Sequence, residues 1–244
     1  MHHVVLERWS RGHSPLHRRD PRAKTLALLI FLVLVATSRP PFLRLGAAYF
    51  VLLIAALVWA RLPLAAALAR SGVVLPFSLV FAGISLMAGD ATRAGALLVK
   101  SYLSALAVLL VISTTPMPQL LRGLESLGVP RFLLMVAQFL YRYLFVISEE
   151  AQHMRAASIA RGASVRGMVA HSARFRSAAG ALAVLFARSY KRAENIHQAM
   201  LARGFEGRFH LLSGRQFRWQ DALFVFAAGG LAAAIRLAVE RAVL

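Results

Sequence analysis

The 244-residue chain contains no cysteine and only ten acidic residues. Without a thiol it can form no disulfide, thiolate metal site or cysteine nucleophile, an absence consistent with a bacterial inner membrane. It also lacks the phosphate-loop pattern G-x-x-x-x-G-K-[ST] and the metalloprotease pattern H-E-x-x-H, so the sequence offers no nucleotide site and no hydrolytic metal site. Its first 24 residues are polar and basic without a short apolar core, and we expect the N-terminus to be retained.

Apolar residues are abundant, at 59% of the chain with a mean hydropathy of +0.62. That content is too apolar for a soluble domain and indicates a membrane protein. Runs suited to crossing about 30 Å of hydrocarbon predict five spans. These are residues 23–38, 42–60, 71–88, 94–115 and 222–239. The paired Pro40 and Pro41 predict a tight hairpin between the first two. The expected fold class is an all-α polytopic membrane protein with additional amphipathic helices.

Basic residues are distributed unevenly between the two predicted sides of the membrane. The 29 lysines and arginines give a net charge of +19. With the N-terminus inside, 23 of them fall on the cytoplasmic side and six on the other, as the positive-inside rule requires. We therefore predict a cytoplasmic N-terminus and an external C-terminus. Lys100 lies within the fourth span, where the sequence favours snorkelling outward over pairing with a neighbouring subunit.

The segment 116–221 contains two more apolar stretches, 132–148 and 178–187, neither of which we expect to span. The second is too short, and the first carries one polar stripe along a helix. The stripe comprises Gln138, Arg142, Glu149 and His153. We predict helices at 117–127, 131–161 and 176–203, the first capped by Thr115 and ended by Gly128.

These predictions divide the chain into four parts. They are a basic cytoplasmic N-terminus at 1–24, a four-helix transmembrane region at 25–115, a set of cytoplasmic amphipathic helices at 116–221, and a final transmembrane helix with an external C-terminus at 222–244.

The tripeptide Ala-Arg-Gly ends both long cytoplasmic helices. Its copies are Ala160, Arg161 and Gly162, and Ala202, Arg203 and Gly204. Helix capping alone explains one copy, because helix ends favour a cation followed by glycine. Stepping back by three and four residues, however, places each arginine on its helix's apolar face. That position predicts an acceptor on a protein partner for each guanidinium, in addition to capping. The faces comprise Ala137, Leu140, Leu144, Ile147, Ala151, Met154 and Ser158 on the first helix, and Leu182, Phe186, Ser189, Ala193, Ile196 and Met200 on the second.

Further motifs accompany the paired tripeptides. They are DPRAK at 20–24, STTP at 113–116, LLRGL at 120–124 and LGVP at 127–130. Together they resemble the transmembrane coupling subunit, or T component, of energy-coupling factor transporters, and within that group the CbiQ type.

The resemblance implies a non-catalytic scaffold of an ATP-driven cobalt or nickel importer in the bacterial inner membrane. It implies two cytoplasmic ABC-type ATPase partners, which would hold the ATP and Mg, and a membrane substrate-binding subunit, with room for a small accessory membrane subunit. This chain would bind no cofactor. Arg161 and Arg203 would each enter a groove of one ATPase, and the helices at 116–221 would be coupling helices.

Two other function classes stay open on the sequence alone. An autonomous cation permease is disfavoured because the spans lack internal carboxylates. A membrane-anchored binder of anionic lipid or nucleic acid is suggested only by the basic stretch 155–218, which has few interleaved aromatics and no nucleic-acid motif. We expect no nucleic-acid partner. The eight histidines are scattered apart from His2 and His3 near the N-terminus, and we expect no metal site.

Overall fold

The computed structural model describes residues 9, 10, 12, 14–38, 42–161, 170–207 and 218–241. Within these ranges the regular structure is helical, which confirms the expected fold class. The helices are α1 Pro21–Ala36, α2 Phe42–Trp59, α3 Leu64–Ser71, α4 Leu75–Met87, α5 Ala91–Thr114, α6 Met117–Ser126, α7 Arg131–Ala160, α8 Ala170–Ala202 and α9 Trp219–Arg241.

The chain folds as two compact units. The first unit joins residues 1–130 to residues 215–244 and therefore contains α1 to α6 together with α9. The second unit, residues 131–214, contains α7 and α8. The four predicted parts of the chain are not themselves tested by this division.

The core of the first unit lies among α1, α2, α5 and α9. Leu57 and Leu106 are fully buried there, from α2 and α5. Tyr49 of α2 is 1% exposed, packs edge-on against Phe31 with 5.2 Å between ring centroids, and donates its hydroxyl to the Ala232 carbonyl at 3.3 Å. A buried tyrosine needs such an acceptor, so this contact ties α2 to α9.

Polar contacts at both ends of α1 fix the directions of its neighbours. At the start of α1, the Asp20 amide donates to Asp221 of α9 at 3.2 Å, and the Lys24 ammonium donates to the Thr114 carbonyl of α5 at 2.8 Å. Beyond the other end, Arg236 of α9 donates to the Thr37 carbonyl at 2.9 Å. Helices α1 and α9 are therefore parallel and α5 is antiparallel to both. We call the end where α1 and α9 begin the proximal end of the bundle.

Four helical segments among the described residues are long and apolar enough to cross a membrane. They are Leu64–Met87, Ala91–Thr114, Arg131–Ala160 and Trp219–Arg241, with Leu43–Trp59 a shorter apolar helix. Helix α1, with 16 residues, is also short for a span.

The third predicted span begins too late in the sequence. Instead of 71–88 it occupies Leu64–Met87, with a 3-10 turn at Gly72–Val74 joining α3 to α4. Pro63 precedes α3, and the leucine and alanines that follow it are strong helix formers. Arg70 consequently lies within a helix rather than in a loop, with its guanidinium over the Trp9 ring at 4.2 Å from the centroid.

Helix α7 qualifies as a span by composition, although its polar stripe predicts that it does not cross. The geometry of the first unit bears on this point. Thr114 and Asp221 both lie at the proximal end, so the chain leaves and rejoins the bundle at the same end. A single crossing by α7 would need a second crossing to return, and α8 is not among the described helices apolar enough to supply one. The cytoplasmic placement of α7 stays a prediction.

The two helices of the second unit contact each other, and Arg188 of α8 forms an ion pair with Glu150 of α7. Helix α8 begins at Ala170, six residues before the predicted start at 176. Helix α6 ends as predicted, because Gly128 takes a φ of +95° and the Val129 amide closes back on the Leu124 carbonyl.

The predicted capping role of Thr115 is wrong. Pro116 is the N-cap of α6 and no side chain caps that helix. The Thr115 hydroxyl instead accepts a hydrogen bond from Lys24.

Candidate coupling site

The C-terminal tip of α8 has the geometry that its sequence predicts. The Gly204 backbone has a φ of +76°, a region that glycine adopts without strain. The Phe205 amide donates to the Met200 carbonyl at 3.1 Å and the Gly204 amide donates to the Leu201 carbonyl at 2.9 Å. These bonds satisfy carbonyls that a helix end leaves free, and they stop α8 immediately before Arg203.

The tip of α7 is described up to its arginine. The helix ends at Ala160, and the Arg161 amide still donates to the Ala157 carbonyl at 3.1 Å. Gly162, the third residue of this tripeptide, lies outside the described residues.

The described tripeptide residues share one property, exposure to solvent. Ala160 and Arg161 are exposed at one tip, and Ala202, Arg203 and Gly204 at the other. Neither arginine forms an ion pair within the described part of the chain, in contrast to Arg188 on the same helix pair. Each guanidinium therefore presents a full positive charge and up to five donors at the end of a long helix.

The apolar faces behind the two arginines are also largely uncovered. On α7, Leu140 is 67% exposed and Leu144 is 50% exposed. On α8, Leu182 is 65% exposed and Phe186 is 73% exposed. Exposed apolar side chains arranged along helix faces are typical of protein or lipid contact surfaces. The exposed parts of the two predicted faces are available to a partner. Other residues of the same faces are half-buried, among them Met154, Ser158, Ser189, Ile196 and Met200.

The polar stripe of α7 also takes the predicted form. Glu149 and His153 are both about three-quarters exposed, with 3.8 Å between Nε2 and the carboxylate. Arg142 is exposed as well. The stripe and the apolar face thus coexist on one amphipathic helix.

A second polar cluster, which was not predicted from the sequence, joins the DPRAK and STTP motifs at the proximal end. Lys24 is 3% exposed, and its ammonium donates to the Thr115 hydroxyl at 3.1 Å as well as to the Thr114 carbonyl. Asp20, 2% exposed, caps α1 by accepting the Arg22 amide at 2.9 Å. Asp-Pro before an apolar run is a helix-start signal that could have placed Asp20. Nothing in the sequence indicates the partners of Lys24.

Helix α6 is docked directly on this cluster. A Cβ added to Gly123 would lie 3.2 Å from the Pro21 Cβ and 3.4 Å from the Arg22 amide nitrogen. Leu121 on the same helix is 4% exposed. A side chain at Gly123 of the LLRGL motif would require the DPRAK motif to shift by a few tenths of an ångström, so the two motifs are in close contact.

The Lys100 side chain reaches the end of α1, and its predicted outward snorkelling stays a prediction. Its ammonium donates to the Ala36 carbonyl at 2.9 Å and the Ser38 carbonyl at 3.0 Å. Carbonyls at a helix C-terminus attract cations, and here the acceptors belong to this chain rather than to another subunit.

Histidine, aspartate and glutamate side chains do not form a group of three suited to a metal ion among the described residues. His2 and His3 lie outside those residues, as do His13 and His210. The expectation that this chain holds no metal therefore stays a prediction.

A bundle of long apolar helices defines the chain as a multi-pass membrane protein. Comparison with known proteins gives the family. Residues 12–211 match the CbiQ family of cobalt transport proteins, and the chain belongs to that family.

Individual relatives carry related names. The cobalt transport protein CbiQ of Rhodobacter capsulatus is 32% identical over 136 residues, which are 54% of this chain and 53% of that protein, so the match spans about half its length. The energy-coupling factor transporter transmembrane protein EcfT of Acidaminococcus fermentans is 31% identical over 84% of each chain. The nickel permease LarQ of Lactiplantibacillus plantarum is 32% identical over 45% of this chain and 38% of its own. All three are named as transport proteins rather than enzymes.

Proposed function

We propose that this chain is the non-catalytic coupling subunit of an ATP-driven importer. In this proposal Arg161 and Arg203 each bind one of two cytoplasmic ABC-type ATPases, which carry the ATP and Mg. The single observation that supports it most is the exposure of both arginines, without ion pairs among the described residues, at the tips of two long helices.

Both helices are long enough to transmit a movement from their tips. Helix α7 has 30 residues and α8 has 33. At 1.5 Å per residue they are about 45 and 50 Å long, so a force applied at a tip is transmitted along a rigid element. The ion pair between Arg188 and Glu150 links the two helices at positions before their C-terminal tips. Movement of the ATPases would tilt or slide this pair, which is a recognised form of large-scale switching.

In this proposal, the apolar faces of α7 and α8 form a second contact surface, for a membrane partner. A membrane substrate-binding subunit would cover these faces, alone or together with a small accessory membrane subunit. The proposed location is the bacterial inner membrane with the N-terminus and the helix tips in the cytoplasm, where the ATPases are.

Cobalt or nickel is the proposed cargo. The family is one of cobalt transport proteins, and relatives named for cobalt and for nickel match this chain at equal identity. The metal is a substrate of the complex and not a resident cofactor of this chain.

The test replaces both tip arginines in the complete complex. We expect the double variant Arg161→Glu and Arg203→Glu to lose co-purification of the ATPases and to reduce ATP-dependent uptake of radiolabelled cobalt or nickel at least tenfold. A matched control is Arg155→Glu with Arg192→Glu, which makes the same charge change at exposed positions of α7 and α8 away from their tips. Equal co-purification and uptake in the tip variant and the control would refute the proposal.

A further inference from the structure

The first unit contains a large apolar cavity near its proximal end. Its volume is about 510 Å³, and it lies among α1, α2, α5 and α9. The larger side chains that line it are Leu28, Phe31, Leu53, Trp59, Leu110 and Leu231. Alanines on α2 and α9, among them Ala56 and Ala228, leave the space open because their side chains are small.

The cavity opens sideways between α2 and α9. Its exposed lining residues belong to these two helices, with Trp59 50% exposed and Leu231 51% exposed. The same helices meet farther from the proximal end, at the hydrogen bond between Tyr49 and the Ala232 carbonyl. An opening on the outer surface of a membrane bundle faces lipid rather than water.

The depth of the cavity matches a single leaflet. Along α9 the lining runs from Phe224 to Leu231, which corresponds to about 10 Å at 1.5 Å per residue. Half of the hydrocarbon core is about 15 Å thick. The cavity therefore lies within the leaflet on the proximal side, which the charge distribution predicts to be cytoplasmic.

A strongly basic cleft lies at the same end of the bundle. Its volume is about 520 Å³ and four arginines line it, namely Arg18, Arg19, Arg61 and Arg218. Asp221 also lines the cleft, but its two carboxylate oxygens accept the backbone amides of Asp20 and Arg218. None of the four guanidinium groups forms an ion pair within the described part of the chain. The cleft thus has an excess of positive charge.

Three chain segments place the cleft at the mouth of the cavity. Pro15 lines the cleft and Leu16 the cavity, while Trp59 of the cavity lies two residues before Arg61 of the cleft. On α9, Asp221 lines the cleft and Phe224, one turn later, lines the cavity. Arg19 contacts residues of both the cleft and the cavity. Its guanidinium donates to the carbonyl of Gln220, a cleft residue, at 3.2 Å and lies 6.0 Å from the centre of the ring of Phe224, a cavity residue.

We propose that the cavity and the cleft together bind one anionic phospholipid, with an acyl chain in the cavity and the phosphate headgroup among the four arginines. Charge complementarity selects the headgroup, since a zwitterionic lipid would bring its own cation into a cleft already rich in arginine. The apolar cavity selects a lipid over a soluble phosphate, because only a lipid has an acyl chain that gains free energy by burial there. This site is independent of the proposed coupling at Arg161 and Arg203.

The experiment measures lipid retention by the purified full-length chain. Native mass spectrometry in detergent is performed with added dioleoyl phosphatidylglycerol, and in parallel with dioleoyl phosphatidylcholine or glycerol 3-phosphate. We expect one phosphatidylglycerol per chain, bound at least tenfold more tightly than phosphatidylcholine, and no retention of glycerol 3-phosphate.

Variants separate the headgroup site from the chain site. Arg18→Gln, Arg61→Gln and Arg218→Gln combined should reduce phosphatidylglycerol affinity at least tenfold, whereas the corresponding three Arg→Lys changes should retain most of it. Ala228→Phe should also weaken binding, by filling the cavity. The charge-matched control is Arg44→Gln, Arg93→Gln and Arg241→Gln, three exposed arginines outside the cleft. Size-exclusion profiles establish that each variant is folded.

Three results would overturn the proposal. They are equal retention of the two lipids, an equal loss of phosphatidylglycerol in the cleft variant and the charge-matched control, and binding of glycerol 3-phosphate as tight as that of the lipid. The last result would make the cleft a site for soluble anions.

Discussion

Cations occur repeatedly near helix ends in this chain, and their surroundings separate two roles. Lys100 and Arg236 bind carbonyls at and just after the end of α1, so their charges interact within the fold. Arg161 and Arg203 stand at helix ends too, yet their side chains are exposed and have no ion-pair partner among the described residues. Binding to helix-end carbonyls accounts for Lys100 and Arg236. The exposed guanidinium groups of Arg161 and Arg203 keep donors that a partner can bind.

The buried contacts of Lys24 should contribute measurably to the stability of the protein. Replacing Lys24 with methionine keeps the apolar stem and removes the donors to Thr114 and Thr115. We expect a loss of about 1–3 kcal/mol, because a buried carbonyl would be left without its donor. The check is thermal unfolding of the purified protein, with Lys191→Met at an exposed position of α8 as the control. An unfolding temperature equal to that of the control would show that the buried contacts contribute nothing.

The elements of the bundle are held together at opposite ends by different polar contacts. At the proximal end Asp20, Lys24 and Asp221 connect the starts of α1 and α9 to the end of α5. At the other end Lys100 of α5 and Arg236 of α9 converge on the carbonyls after α1. Helix α1 is therefore the element on which α5 and α9 are aligned.

Removing the distal contacts should loosen α1 at one end only. In the double variant Lys100→Met and Arg236→Met, we expect faster amide hydrogen exchange over residues 33–38 and unchanged exchange over 21–26. The reason is that the helix end loses the cations that bind its carbonyls. Arg44→Met, an exposed position on α2, is the control. Uniform loosening of both ends, or no change at either, would contradict the alignment role.

Sequence patterns predicted the positions of the helices better than they predicted the contacts between helices. The apolar runs and the Gly128 and Gly204 signals located most helices and two helix ends, because these features depend on neighbouring residues. The start of the third span was missed because α3 is only partly apolar and contains Arg70. The acceptors of Lys24 on Thr114 and Thr115 and both acceptors of Lys100 lie 62 to 91 residues away, and no local pattern specifies them. The paired arginines were found because their repetition is visible in the sequence.

At the scale of the whole molecule, the topology requires the end of α5 and the start of α9 to lie on the same side of the membrane. This follows from the contacts of Thr114 and Asp221 at the proximal end. The cytoplasmic placement of that end agrees with the charge distribution, in which 23 of the 29 lysines and arginines lie on the predicted inner side.

The natural absence of cysteine makes this topology directly measurable. Single substitutions Ser126→Cys, Gln152→Cys and Thr92→Cys place thiols at exposed positions. We expect Thr92→Cys to react with a membrane-impermeant maleimide in intact cells, and the other two to react only after the inner membrane is permeabilised. If α7 crossed the membrane, the thiols at 126 and 152 would react from opposite sides.

The central claim, that ATPase movement is transmitted through the tips of α7 and α8, is tested most directly by the distance between those tips. Spin labels at Ala156→Cys and Ala199→Cys lie on exposed positions about one turn before Arg161 and Arg203. In the assembled transporter, pulsed electron paramagnetic resonance should show a shorter label-to-label distance when the ATPases bind ATP. The change should be absent in the double variant Arg161→Glu and Arg203→Glu. A distance that stays constant through ATP binding in a complex that actively imports metal would contradict the account.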